Sequence, residues 1–263
     1  IASGGYATAE LGGPCGNGSN SGGFYPNHGG QYATMPGNNA YGSVFSPVLP
    51  GQFAQRGDHA TISPGGGAIK LTVTGDMVVN GTVSANGIQR NSGDTNGRSS
   101  AAAGSVNITA ATLSGSGSIT ATGNPGNYYD TPYNGTGGRI AVRVTGEAVG
   151  TTGVWASLAA RGCSTNQTNK ANGNNKNTSA GTIYLQGVSD GEKGGTIYVR
   201  NQASYDTSDV ATWIPAASPS YMMVTFSVNF RMRRICSSVS EVPLEATTLV
   251  MPSWCIITTS MLP

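Results

Sequence analysis

Charge is what this chain has least of. Of its 263 residues only 10% are Asp, Glu, Lys or Arg, against about a quarter in an average soluble domain. The 14 basic and 12 acidic residues leave a net charge of +2. The one local basic cluster, "RMRR" at 231–234, is too small for the continuous positive surface that phosphate neutralisation requires, so nucleic acid is not an expected partner. Histidine is nearly absent, with only His28 and His59. Asp58 stands beside His59, but adjacent residues do not make a relay, and there is no G-x-S-x-G nucleophile motif. The acidic residues are dispersed, Asp206 and Asp209 being the nearest to a pair, whereas carboxylate catalysis needs two in one cleft about 5–9 Å apart. Cys15, Cys163, Cys236 and Cys255 form no C-x-x-C pair, which argues against zinc and leaves two bridges or free thiols equally open. No apolar run reaches the roughly 18 residues of a membrane span, so direct membrane insertion is not expected. The calcium nonapeptide is missing, "GDTNG" at 93–97 reads as a plain acidic turn, and no G-K-[ST] follows the glycines of "SPGGGAI". No cofactor and no metal are expected.

Glycine, Asn, Ser and Thr fill the space that charge leaves. All 40 glycines lie at or before Gly195, and five of the seven methionines lie after it. Within "GGAIKLTVTGDMVVNGTVSANG", residues 66–87, Ile69, Leu71 and Val73 alternate with Lys70, Thr72 and Thr74. That is a strand of period two with one buried face. The pattern returns. Val106, Ile108 and Ala110 take the first three places, Leu113 that of Met77, Ile119 that of Val83 and Ala121 that of Ala85. "GGRIAVRV" opens a third unit with Ile140, Val142 and Val144, and "WASLAARG" closes it with Leu158 and Ala160. "AGTIYLQG" opens a fourth with Ile183 and Leu185, and "GGTIYVRN" reads as a repeat of that edge at Ile197 and Val199. Three inserts, 88–102, 124–137 and 163–180, each follow an A-x-G ending and precede the next G-x-I/V. The uneven spacing of the units is assigned to these inserts. Inserts at one phase of a repeat belong to a solenoid, in which each unit buries its face only against its neighbours.

The expected fold is therefore all-β: a right-handed single-stranded parallel β-helix with Gly/Asn-rich loops stacked on one edge. Aliphatics point inward, Thr, Ser, Lys and Asn outward, and glycine makes the corners through positive φ or close approach. The stretches "YGS", "PGGGAIKLTVTGDMVVNGTVSANG", "GSGSITATG" and "GGRIAV" resemble the glycine-rich repeats of bacterial cell-surface β-helix proteins, the autotransporter-passenger and adhesin-like class. The resemblance spans about 1–215 and is strongest over 64–145. It implies a rigid stalk or display surface, secreted or at the cell surface, with no catalytic residues to carry over.

Three segments follow. Residues 1–65, turn-rich and proline-interrupted, are expected to be an irregular cover. Residues 66–215 carry the repeats. Residues 216–263 match nothing before them, and read either as a C-terminal cap or as a shifted reading frame after about Ser218; within them "MMVTFSVNFRM", 222–232, alternates like one strand. The first residue is Ile1 rather than Met, which is taken as a removed leader or as a fragment. Six N-x-[ST] sequons, at Asn17, Asn80, Asn107, Asn134, Asn166 and Asn177, are what such a composition produces unaided, and none is read as a glycosylation signal. The expected function is a non-catalytic structural or adhesive module. Tyr128, Tyr129 and Tyr133, grouped in the second insert, are the candidate binding loop for a cell-surface glycan or protein. The alternative is a polysaccharide lyase or hydrolase, for which Lys70, Arg139 and Arg143 supply outward cations but no acidic partners.

Overall fold

The computed structural model describes residues 42–55, 62–91, 98–123, 135–162, 180–191 and 194–199, together with five strands between 210 and 260. In chain order the strands are β1 (Ala54–Gln55), β2 (Ile62–Ser63), β3 (Ala68–Thr72), β4 (Asp76–Val78), β5 (Thr82–Ser84), β6 (Gln89–Asn91), β7 (Arg98–Ser100), β8 (Ser105–Ala110), β9 (Thr112–Ser114), β10 (Ser118–Thr120), β11 (Arg139–Val144), β12 (Leu158–Ala159), β13 (Thr182–Gln186) and β14 (Thr196–Val199). They are followed by β15 (Val210–Ile214), β16 (Met222–Phe226), β17 (Arg231–Arg234), β18 (Thr248–Met251) and β19 (Cys255–Ser260). Short 3-10 turns occupy Gly153–Ser157 and Val188–Asp190. The described residues are all-β.

The alignment read from the repeat is the alignment of the strands. β3, β8, β11 and β13 lie side by side and parallel, with Ile69 opposite Val106, Val106 opposite Ile140 and Ile140 opposite Ile183. Leu71, Ile108, Val142 and Leu185 form the next row. β4 and β9 pair parallel with Met77 opposite Leu113. β5, β10 and β12 form a third parallel group with Val83, Ile119 and Leu158 in line. Side chains from all three groups meet in one core, in which Val106, Ile108, Ile119, Ile140 and Val142 are wholly buried. Each such aliphatic contributes about 1.5–3 kcal/mol, and a row shares that burial between neighbouring units.

The uneven spacing has two sources rather than one. Ile119 lies nine residues after Ala110, whereas Leu158 lies fourteen after Val144, although both pairs hold equivalent register. Five residues of the third unit are thus inserted at a corner, away from the three long inserts, and the 3-10 turn Gly153–Ser157 sits there. The sequence pattern hid this insertion because its ends still alternate.

Three further expectations are corrected. β14 does not repeat the edge of the fourth unit: it returns antiparallel to β13, with Ile197 opposite Tyr184. Gly191 at φ +69° and Gly195 at φ +129° flank that reversal, conformations open to glycine alone at little cost. Outward positions are not uniformly solvated. β3 alternates as expected, but β8, β11 and β13 are buried on both faces. The segment 222–232 is not one strand: β16 joins β14 in parallel, while β17 lies in a separate antiparallel group with β15 and β19.

Most repeat glycines are needed for close approach. A Cβ at Gly104 would strike the carbonyl oxygen of Gly67, one at Gly138 that of Gly104, and one at Gly181 that of Gly138. None of the three has a positive φ. The backbones of successive units touch in a column there, and any side chain would separate them.

Candidate functional site

Two places in the fold bring polar groups together. The first is the outer face of the parallel sheet β3-β8-β11-β13. Register sets its rows: Ala68, Ser105, Arg139 and Thr182; then Lys70, Asn107, Ala141 and Tyr184; then Thr72, Thr109, Arg143 and Gln186. Residues 45–49 lie against this face as a strap that covers outward positions of β8 and β13. Ser105 Oγ donates to the Leu49 carbonyl at 2.6 Å, and Asn107 Nδ2 to Ser46 Oγ at 3.2 Å. The Phe45 ring meets Tyr184 edge-on, with centroids 4.8 Å apart.

Two of the three cations of this face are engaged in holding strands. Arg139 is fully buried, and its Nη1 donates to Thr182 Oγ1 of the next unit at 3.0 Å. Arg143 donates from Nε to Gln186 Oε1 at 2.9 Å and lies over the Tyr184 ring, 5.2 Å from its centroid, a cation–π contact. Lys70, on β3, is the exposed one. Tyr184 donates its hydroxyl to the Gly194 carbonyl. Burial raises its pKa above the ordinary 10.0, opposed by the Arg143 charge and reinforced by that of Asp190. The described carboxylates Asp76, Glu147 and Asp190 each accept a short hydrogen bond, from Thr112 Oγ1 at 2.6 Å, Leu113 N at 2.7 Å and Gly187 N at 2.7 Å. Among the described residues no group of three His, Cys, Asp or Glu side chains could hold a metal, and no helix is long and apolar enough to cross a membrane.

The second place is the edge from which the inserts leave. Each is closed at its base by the same bond: Gly104 N donates to the Ala85 carbonyl at 2.7 Å, Gly138 N to that of Ala121 at 2.9 Å, and Gly181 N to that of Ala160 at 2.8 Å. Just beyond, Gly87 N donates to the Thr122 carbonyl at 3.0 Å and Gly123 N to that of Arg161 at 2.9 Å. The described backbone at the bases of the three inserts is therefore stacked unit on unit. The first insert includes the antiparallel pair β6–β7. No protein-family model, curated protein or solved structure matches this chain.

Of the sequence-derived candidates, Tyr128, Tyr129 and Tyr133 lie outside the described residues, as do His28, His59, Cys15, Cys163, Cys236 and "GDTNG". Lys70, Arg139 and Arg143 share the outward face, as expected, but Arg139 is buried there rather than exposed. Sequence reasoning missed Glu147 and Trp155. In the third unit these two stand where a strand beside β9 is lacking: Glu147 Oε1 accepts from Leu113 N at 2.7 Å, and the Trp155 indole donates to the Leu113 carbonyl at 2.9 Å. Side chains thus satisfy the backbone of a strand edge that would otherwise be open. The one signal was a lone Trp and a lone Glu interrupting a chain of small residues.

Proposed function

We propose that the chain is a non-catalytic extracellular structural or adhesive module, secreted or at a bacterial cell surface. On this reading the parallel units from β3 to β13 wind as a right-handed single-stranded parallel β-helix, and its product is the row of loops displayed on one edge. The observation that carries the reading is the repeated clamp at the insert bases, Ala85–Gly104, Ala121–Gly138 and Ala160–Gly181. A fold that holds three different inserts by one identical bond keeps their roots aligned while leaving their sequences free, which suits display. The in-register rows supply rigidity. The polysaccharide lyase or hydrolase alternative relied on Lys70, Arg139 and Arg143, and two of these three cations bind neighbouring strands.

The partner class is a cell-surface glycan or protein met by Tyr128, Tyr129 and Tyr133 of the second insert. Tyr129→Ala is expected to weaken binding to cells or to a glycan array with an unchanged melting temperature. Retained binding would remove this loop from the proposal. Unsaturated products from a pectin and alginate panel would overturn the non-catalytic reading itself.

A further inference from the structure

We infer that Asn80 is a site of spontaneous backbone modification, passing through a cyclic imide to aspartate and isoaspartate, and that Asn86, in the same unit, is protected from it. Both residues precede glycine, as Asn80-Gly81 and Asn86-Gly87. The reaction needs only solvent. Hydroxide takes the proton of the glycine amide, and the glycine nitrogen attacks the asparagine Cγ. The N–Cγ bond forms, the side-chain oxygen carries the negative charge of the tetrahedral intermediate, and Nδ2 leaves as ammonia with a proton from water. Water then adds to either carbonyl of the imide and opens it to aspartate or isoaspartate, without oxidation or reduction.

The structure supplies both asparagines with donors for that developing charge. Asn80 Oδ1 accepts from Ser116 N at 3.2 Å, with Ser116 Oγ at 3.5 Å. Asn86 Oδ1 accepts from Thr122 N at 2.8 Å and Thr122 Oγ1 at 3.0 Å. A backbone N–H and a hydroxyl aimed at one amide oxygen stabilise an oxyanion there. On this ground alone Asn86 is the better placed of the two.

The nucleophile separates them. Gly87 is buried, its N–H is held by the Thr122 carbonyl at 3.0 Å, and a Cβ there would strike the Ala101 carbonyl. That nitrogen can neither lose its proton to solvent nor swing toward Cγ. Asn80 and Gly81 are both exposed, a Cβ at Gly81 would meet nothing within 4 Å, and among the described residues the Gly81 N–H makes no hydrogen bond. The pair thus combines a stabilised oxyanion with a free nucleophile, and Asn86 is its internal control. An isoaspartate product would add a backbone atom between β4 and β5, at the corner where their spacing must match β9 and β10.

The test is peptide mapping by mass spectrometry of the full chain, incubated at mildly alkaline pH either folded or in urea. In the folded protein Asn80 should convert at least about tenfold faster than Asn86, whose opening requires local unfolding. In urea the two should convert at similar rates. Gly81→Ala should slow conversion of Asn80 without lowering the melting temperature. Equal rates at the two sites in the folded protein, an Asn80 that stays intact while the urea sample converts, or a Gly81→Ala variant that converts as fast as the parent would overturn the inference.

Discussion

Gly138→Ala should be among the most damaging single-methyl additions to this protein. Gly138 stands in the middle of the glycine column, donating to the Ala121 carbonyl at 2.9 Å and accepting from Thr182 N at 3.1 Å. An added Cβ would overlap the Gly104 carbonyl oxygen and lie 3.0 Å from the Cβ atoms of Ala103 and Ala121. The principal obstacle is backbone, so no side chain can rotate away. Relief requires separating the second and third units at the corner that also clamps an insert. Overpacking costs about 1–3 kcal/mol where side chains can yield, and a backbone obstacle places this case at about 3 kcal/mol. For a chain of this size that corresponds to a fall of roughly 6–12 °C in melting temperature. The control is Gly75→Ala, where the new Cβ would meet nothing and the change should stay within about 0.5 kcal/mol. Thermal and urea melts followed by far-UV circular dichroism read both. If Gly138→Ala and Gly75→Ala melt alike, the units do not touch as described.

Two further outcomes follow from side-chain geometry. Glu147→Ala should cost about 1–3 kcal/mol in urea melts by stranding the Leu113 N–H, while Glu147→Gln, which keeps an acceptor, should recover most of it; equal losses would mean that the carboxylate does not cap β9. The raised pKa of Tyr184 means that the fold favours the neutral phenol. Its contribution is fully present below the ordinary value near 10 and is lost as pH climbs through the higher folded value. Tyr184→Phe should therefore show a shallower loss of stability above about pH 10 than the parent, and parallel profiles would refute the assignment.

The rows were legible in the sequence because few folds besides stacked parallel strands place a buried aliphatic at every second residue and return it after a fixed set of corners. Ile69, Val106, Ile140 and Ile183 could be aligned by eye, and they are aligned in space. The strap at 45–49 was harder to see. Its contacts with Asn107 and Ser105 run through a hydroxyl and a carbonyl, groups that leave no periodic trace. Arg139 does occupy the outward face, but strand alternation reports which face a residue occupies and not what covers that face. The reversal into β14 was invisible for a related reason. "GTIYLQ" and "GTIYVR" are nearly the same string, and strand direction is set by the turn between them. The protection of Asn86 against Asn80 was equally hidden, since both read as Asn-Gly and only the partner of the glycine N–H differs.

The fold rests most on units pairing in parallel at one fixed register. That register can be measured with paired cysteines, after Cys15, Cys163, Cys236 and Cys255 are changed to Ser. Thr82 Oγ1 and Ser118 Oγ lie 3.2 Å apart, and facing residues of adjacent strands, about 4.8 Å apart, fall within the Cα window of a disulfide. Thr82→Cys with Ser118→Cys should oxidise readily to a cross-linked chain. Thr82→Cys with Thr120→Cys, displaced two residues to about 8 Å, should not. A folded protein in which the second pair closes and the first stays reduced would contradict the stacking on which everything else is built.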